Sequence, residues 1–344
     1  MAALIEVLEG GLGATVQDAG RPGHRRIGVA LSGALDPLWL ACANALAGNA
    51  AGAAALELRL AGPRLRVARG RLRVALAGNA ECKVRRAVSQ GLTFHAWQSL
   101  TLKEGDELAI GAVRGGIAYL AFAGGIVTTP LLGSRATHLR ACMGGVEGRA
   151  IAAGDRLPLG DTDPRGPERR QAAFLHESGP IRLLAGPQDD HFTPATLRAL
   201  VEAEFTVSRD ADRMGLRLDG PPLAHDAQHG DEIVSDGVAP GAIQVPPDGR
   251  PIVLAADCQT VGGYPKIATV IRADLPRLGH QLPGNRLRFV FVTRDEAVAA
   301  LRAQQARLGA WIGNIAPHAP AGDIDEAALY SENLISGALY AEEP

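Results

Sequence analysis

Pro251-Ile252-Val253-Leu254-Ala255-Ala256-Asp257-Cys258-Gln259-Thr260-Val261-Gly262-Gly263-Tyr264-Pro265-Lys266-Ile267 is the most informative stretch of the chain. Its first five residues form an apolar run that reads as a buried strand. Polar groups then crowd together: Asp257, Gln259, Thr260, Tyr264 and Lys266. Gly262 and Gly263 stand among them, where a sharp turn or a close backbone approach costs little. A stiff strand feeding a glycine turn rich in donors and acceptors is a common way to build a small-molecule site.

Composition bounds the possibilities around this stretch. With 344 residues and 47% hydrophobic content, the chain can fill two domains of ordinary size. A net charge of −2 gives no reason to expect nucleic acid or an anionic membrane as partner. Aromatic residues make up only 4%, too few for base-stacking platforms. With 42 glycines and 22 prolines, the short apolar runs favour strands and turns over long helices. Cys42, Cys82, Cys142 and Cys258 form no C-x-x-C pair, so zinc-ribbon and thioredoxin patterns are missing. They are expected to stay reduced, with Cys258 as a small buried residue. The N-terminus lacks the basic start of a signal peptide. The uncharged run 115–134 is broken by glycines, threonines and Pro130, and reads as two buried strands and a turn. A cytoplasmic protein with no membrane span follows.

Outward toward the N-terminus, Gln17-Asp18-Ala19-Gly20-Arg21 is a second dense polar stretch. Arg21 offers a planar fork suited to a carboxylate or phosphate, and Gln17 and Asp18 can orient it. Ser32 and Gly33 precede Asp36-Pro37, an N-cap and first-turn proline that predict a helix to about Leu46, closed by Gly48-Asn49. Short strands are expected at Leu4–Leu8, Leu65–Val67, Arg71–Leu76, Ser99–Leu102, Glu107–Ile110, Ile117–Phe122 and Ile181–Leu184. Helix starts are read at Thr193-Pro194 and at the capping box Thr293-Arg294-Asp295-Glu296. The polar, proline-bearing run 160–170 is the best linker. It divides the chain into 1–165, 166–310 carrying the glycine stretch, and a tail, 311–344. Within 166–310 lies Asp212-Arg213, in which the aspartate can hold the arginine fork. The histidines are scattered, no H-E-x-x-H occurs, and no metal site is expected. G-x-S-x-G, G-x-G-x-x-G and G-x-x-x-x-G-K-[ST] are absent as well.

Three stretches together resemble one family. They are Thr15-Val16-Gln17-Asp18…Gly20-Arg21…Ser32-Gly33-Ala34-Leu35-Asp36…Leu56-Glu57, then Asp212-Arg213-Met214-Gly215, then Gly241-Ala242-Ile243-Gln244-Val245-Pro246 running on to Lys266-Ile267. The resemblance, over about residues 4 to 308, is to the biotin-dependent carboxyltransferase-like family. That family includes the C component of 5-oxoprolinase, KipA, allophanate hydrolase subunit 2-type proteins and the carboxyltransferase part of urea carboxylase. Ala30 departs from a frequent proline, and Val261 from a usual threonine, so Val261 is left out of the chemistry.

The resemblance implies a mainly β fold with a few helices, in two β-rich subdomains, one a cyclophilin-like barrel. It implies the C component of a three-part hydrolase complex that opens 5-oxoproline to glutamate with ATP hydrolysis. The partners would be the A component and a B component similar to KipI and allophanate hydrolase subunit 1. The alternatives are a biotin-dependent carboxyltransferase component acting on urea or a related amide, and a KipA-like regulator of a KipI-like partner. No Ala-Met-Lys-Met biotin carrier is present, so no cofactor is expected on this chain alone. ATP and Mg2+ would enter with the complex, and biotin only under the alternative. An amide or carboxyl-transfer site must hold a carboxylate and stabilise oxyanion charge. Arg21, Arg213 and Lys266 are the available cations. Gln17, Gln244 and Gln259 can hold an amide edge-on, with Asp18, Ser32, Gly33, Thr260, Gly262 and Gly263 around it. Asp257 is expected to orient Lys266, and Tyr264 to donate a proton.

Overall fold

The computed structural model describes residues 3–87, 91–161 and 166–318. Strand accounts for 37% of it and helix for 17%. Two large sheets hold most of the strands, each with its own apolar core.

The first sheet has 11 strands and is built mainly from the N-terminal half. Its spine is a pair of long antiparallel strands, Arg71–Arg85 and Glu107–Phe122. The two strands expected at 107–110 and 117–122 are therefore one. Gly115 and Gly116 take positive φ (76° and 91°) inside it, opposite Gly78 at 143°. The register slips between Ala77 and Asn79 on the partner strand. Only glycine visits these angles cheaply, so the pair acts as a bend within a paired strand rather than as a hairpin turn. Beyond Phe122 the run to Ser134 forms isolated bridges, Ile126 with Leu159 and Leu131 with Ser134, and no second strand. In Arg64–Arg69, Leu65 and Val67 point into the core while the arginines face outward, the two-residue period of a half-buried strand.

The second sheet has eight strands, in the order Arg286–Leu287, Phe205–Val207, Gly215–Asp219, Ile252–Leu254, Ala242–Gln244, Lys266–Val270, Ile181–Ala185, Phe289–Phe291. Its two edge strands are separated in sequence only by Arg288. A sheet whose first and last strands are chain neighbours must curl on itself, and this one is a nearly closed barrel. Leu183, Phe205, Leu218, Ile243, Val253, Ile267 and Phe289 fill it.

Four α-helices accompany the sheets among the described residues: α1 (Pro37–Ala47), α2 (Pro194–Glu202), α3 (Leu275–Gly279) and α4 (Arg294–Gly313). The caps expected for three of them are present. Asp36 Oδ1 accepts from the Leu38 and Trp39 amides (2.9 and 3.1 Å), Thr193 Oγ1 from Thr196 N (3.2 Å), and Thr293 with Glu296 completes a capping box. None is long and apolar enough to cross a membrane.

The expected chain divisions shift. Residues 162–165 lie outside the described residues, and Glu168–Arg170 pairs with Gln98 of the first sheet. The division at 310 falls within α4, whose Leu308 and Trp311 pack with Ile315 against the core beneath α1. Ala316–His318 then pairs with Glu168–Arg170. The start of the supposed tail thus returns to the first sheet, because its apolar residues find cover there. Residues 319–344 lie outside the described residues.

Candidate active site

The polar N-terminal stretch is anchored within the first unit and reaches the barrel at Ser32 and Gly33. Gln17 ends the short strand Thr15–Gln17 and is fully buried, with Nε2 donating to Thr15 Oγ1 and Thr137 O, both at 3.0 Å. Asp18 fastens two loops. Its carboxylate accepts from Gly20 N (2.8 Å), Ser134 Oγ (2.6 Å) and Arg135 N (2.6 Å). Arg21 is wholly buried, with Nη2 donating to the carbonyl of Ala136. Burial draws its pKa down from the ordinary value, against the opposing charges of Asp18 and Asp257. Ser32 sits at φ 53°, in the left-handed region, and donates its amide to Ala256 O (3.0 Å) on the barrel side.

Four polar atoms here have no protein partner among the described residues: Gln17 Oε1, Arg21 Nε, Arg21 Nη1 and Ser32 Oγ. Buried polar atoms are normally satisfied, and an unmet buried donor costs about 1–3 kcal/mol. These four, two of them on one guanidinium, are therefore candidates for contact with a polar ligand or ordered water.

Arg213 is different. Nε donates to Asp257 Oδ2 (2.8 Å), Nη1 to Glu57 Oε1 (2.5 Å) and Nη2 to Gly33 O (2.6 Å). Its fork is fully used, and Glu57 and Asp257 raise its pKa although burial opposes the charge. Arg213 and Gly33, both expected around the substrate, belong to a clamp joining the first sheet to the barrel. Asp257 is likewise committed to Arg213 rather than to Lys266, because its carboxylate faces the seam. Asp212, adjacent in sequence, instead accepts from the amides of Met214 (2.7 Å) and Gly215 (3.2 Å) and pairs with Arg140 (3.0 Å).

The second group lies on the barrel. Gln244 and Lys266 face each other across neighbouring antiparallel strands, which puts their side chains side by side. Lys266 is buried, and its Nζ donates to Asp236 Oδ2 at 3.0 Å. That bond pulls the Asp236 carboxyl below its ordinary pKa. Asp236 comes from the two-residue strand Asp236–Gly237, which pairs with Val261–Gly262. The glycine turn is thus folded back so that Asp236 covers Lys266. A Cβ on Gly262 would stand 2.5 Å from Gln244 Nε2, so a side chain there would push the Gln244 amide out of its place. Gln259 Nε2 donates to Gln244 Oε1 (3.3 Å), and Gln244 Nε2 reaches Tyr264 O (3.4 Å). Thr260 O accepts from Val238 N (3.0 Å), and Gly263 O from Ile233 N (2.9 Å). Tyr264 itself is exposed.

Asp257-Cys258-Gln259 connects the two groups. Cys258 is buried, which pushes its thiol pKa up. Sequence reasoning missed three residues. Arg25 spans the seam, donating to the carbonyls of Val238 and Gln259. Glu57 and Asp236 hold the two cations. Glu57 belongs to the family-like pattern and was readable as a candidate. Asp236 carries no local signal, because its partner lies in a different hairpin.

The carboxyltransferase domain, subdomain A and B, family matches residues 27–291, and the chain belongs to it. It is 37% identical over 311 residues to the 5-oxoprolinase C subunit of Escherichia coli, covering 88% of this chain and 96% of that protein. Identity to the Haemophilus influenzae 5-oxoprolinase C subunit is 34% over 306 residues, 96% of that protein. A putative urea carboxylase of Emericella nidulans is 32% identical, but the match spans 24% of its length. The solved Kluyveromyces lactis urea carboxylase superposes with a TM-score of 0.80 at 28% identity, over 90% of this chain and 29% of that one. The solved protein TTHA0988 gives 0.74 at 37% identity, over 84% of this chain. This chain spans 56% of TTHA0988, little more than half.

Proposed function

We propose that this chain is the C component of a cytoplasmic, ATP-dependent 5-oxoprolinase that opens 5-oxoproline to glutamate only together with its partner chains. The partners are the A component and a B component that is KipI-like and similar to allophanate hydrolase subunit 1. The observation that carries the reading is the set of unmet atoms Arg21 Nε and Nη1, Ser32 Oγ and Gln17 Oε1. A cyclic amide with a carboxylate complements them. The carboxylate suits the guanidinium edge. The lactam N–H suits Gln17 Oε1, and its carbonyl suits the Ser32 hydroxyl. The match over 96% of the two 5-oxoprolinase relatives supports the same assignment.

On the barrel side, Lys266 supplies positive charge against a developing oxyanion, and Gln244 and Gln259 supply amide donors. In this reading Tyr264 gives a proton to the leaving nitrogen. Arg21 is sealed from solvent in the isolated chain. The reading therefore requires the covering segments around Ala136 and Gly144 to open when partners dock. ATP and Mg2+ enter with those partners.

A second reading, biotin-dependent carboxyl transfer to urea or a related amide, draws on the likeness to the Kluyveromyces lactis enzyme. Co-expression with the A and B components, followed by an assay of ATP-dependent glutamate release, separates the two. Release that requires this chain and falls on Lys266→Ala supports the proposal. A stable complex with the B component and no release, with or without a biotin-linked activity, overturns it in favour of carboxyl transfer or a KipA-like regulatory role.

A further inference from the structure

Asp36 has a second oxygen that helix capping does not use. Oδ1 caps α1, while Oδ2 meets two imidazoles at once, His176 Nε2 at 2.7 Å and His280 Nε2 at 2.8 Å. The carboxylate is wholly buried, and each histidine side chain is only 14% exposed. One donor atom from each of the three lies within 4.8 Å of the others.

The hydrogen bonding of His280 is the decisive detail. Its Nδ1 stands 3.0 Å from the carbonyl of Gly115, which can only accept. That fixes the ring proton on Nδ1 and leaves Nε2 with a lone pair directed at a carboxylate oxygen. A neutral imidazole cannot satisfy both contacts. Either a second proton or a cation must lie between Nε2 and Oδ2. A backbone carbonyl on the far nitrogen is the outer partner that orients histidine ligands in metal sites. Two imidazoles and one carboxylate are also the donor set of three-ligand zinc sites that leave a fourth position open.

We propose that Asp36, His176 and His280 bind a divalent transition ion, Zn2+ in the first instance, that ties the two β-rich units together. The ligands come from three places. Asp36 starts α1 on the first unit, His280 follows α3 on the barrel, and His176 lies on the connection ahead of Ile181–Ala185. Donors bonded to zinc at about 2 Å stand roughly 3.3 Å apart in a tetrahedron. Each nitrogen therefore withdraws from Oδ2 by about half an ångström, a small side-chain adjustment. Trp39 packs on both rings, with centroids at 5.7 Å from His176 and 4.4 Å from His280, and holds their planes. His176 also lines a small cleft with Glu177, Asp274, Arg277 and Arg307.

The test uses the full chain, stripped with chelator and titrated with Zn2+ by calorimetry, with thermal unfolding followed in parallel. One equivalent should bind and raise the unfolding temperature. His176→Gln and His280→Gln should each weaken binding by at least the roughly 10–100-fold that loss of an outer partner costs. His95→Gln, an exposed histidine elsewhere, should change nothing. Should His280→Gln misfold, His176→Gln carries the comparison. X-ray absorption on the Zn2+-loaded chain should show nitrogen and oxygen donors without sulfur. No uptake, equal affinity in the histidine variants, or a sulfur shell pointing to a cysteine such as the exposed Cys142 overturns the proposal.

Discussion

Arg21 and Arg213 are both buried, both sit beside acidic residues and both belong to the family-like motifs, yet their surroundings give them opposite tasks. Arg213 spends its donors on Glu57, Asp257 and Gly33. Arg21 spends one on a carbonyl and keeps two nitrogens unmet. Nothing local in the sequence distinguishes them, because the distinction depends on where Glu57 arrives from another strand. The two arginines should therefore fail differently. Arg213→Ala strands two buried carboxylates and should cost about 3–5 kcal/mol in urea unfolding, with activity lost through instability. Arg21→Lys keeps a charge but not the fork. It should fold with near-normal stability and lower kcat/KM of the reconstituted complex by roughly 10- to 100-fold, the equivalent of one charged hydrogen bond of about 1.5–3 kcal/mol. Normal activity in Arg21→Lys would remove that residue from the substrate site.

At the scale of elements, what the sequence made legible followed from short-range chemistry. Asp36-Pro37, Thr193-Pro194 and the Thr293–Glu296 box each name a helix start, since a cap needs only its neighbours. The Gly115–Gly116 pair misled for the same reason. Locally it looks like a turn, and only the bend at Gly78 on the facing strand shows that the strand continues. Asp274, ahead of α3, had no local signal at all. It is wholly buried and binds Arg182 through the backbone amide (2.8 Å), Nε (3.0 Å) and Nη2 (2.7 Å), with Arg277 at 3.2 Å. Burial alone would raise its pKa, but the hydrogen bonds from Arg182 prevail and lower it. A carboxyl depressed in the folded state adds stability above its unfolded value of about 3.9 and loses it as pH falls through the folded value. Chemical denaturation at pH 7 should show Asp274→Asn less stable than the parent by about 3 kcal/mol. The gap should narrow below about pH 4. A gap independent of pH would mean that packing, not charge, holds α3 to the barrel.

Across the whole molecule, the two sheets are joined by a continuous polar chain. Asp257 and Glu57 grip Arg213. Glu57 Oε2 also accepts from the Tyr119 hydroxyl (2.7 Å) and Leu35 N (2.9 Å). Tyr119 accepts from Asp36 N (2.9 Å), and Asp36 meets His176 and His280. Burial and the nearby charges of Glu57 and Asp36 raise the Tyr119 pKa well above the ordinary value, so the hydroxyl stays a neutral relay. The chain also returns to its beginning, with Trp311 packed beside Trp97 (6.0 Å between centroids) and Ala316–His318 added to the first sheet. A sequence reading cuts such a chain into consecutive pieces, because contacts between distant segments leave no periodic trace. The structure predicts that those pieces are not independent. Calorimetry on the full chain should give one transition whose calorimetric and van't Hoff enthalpies agree. Ending the chain at residue 293, which removes α4 and the returning strand, should lower the stability of the first sheet as well as its own, by uncovering Trp97 and Phe174. Two transitions in the full chain, with the first-sheet transition unmoved by that truncation, would mean that the seam is a contact between separately folded units. The unmet atoms around Arg21 would then lie in an interface free to open, and partner docking would act on the angle between the units rather than on the covering loops.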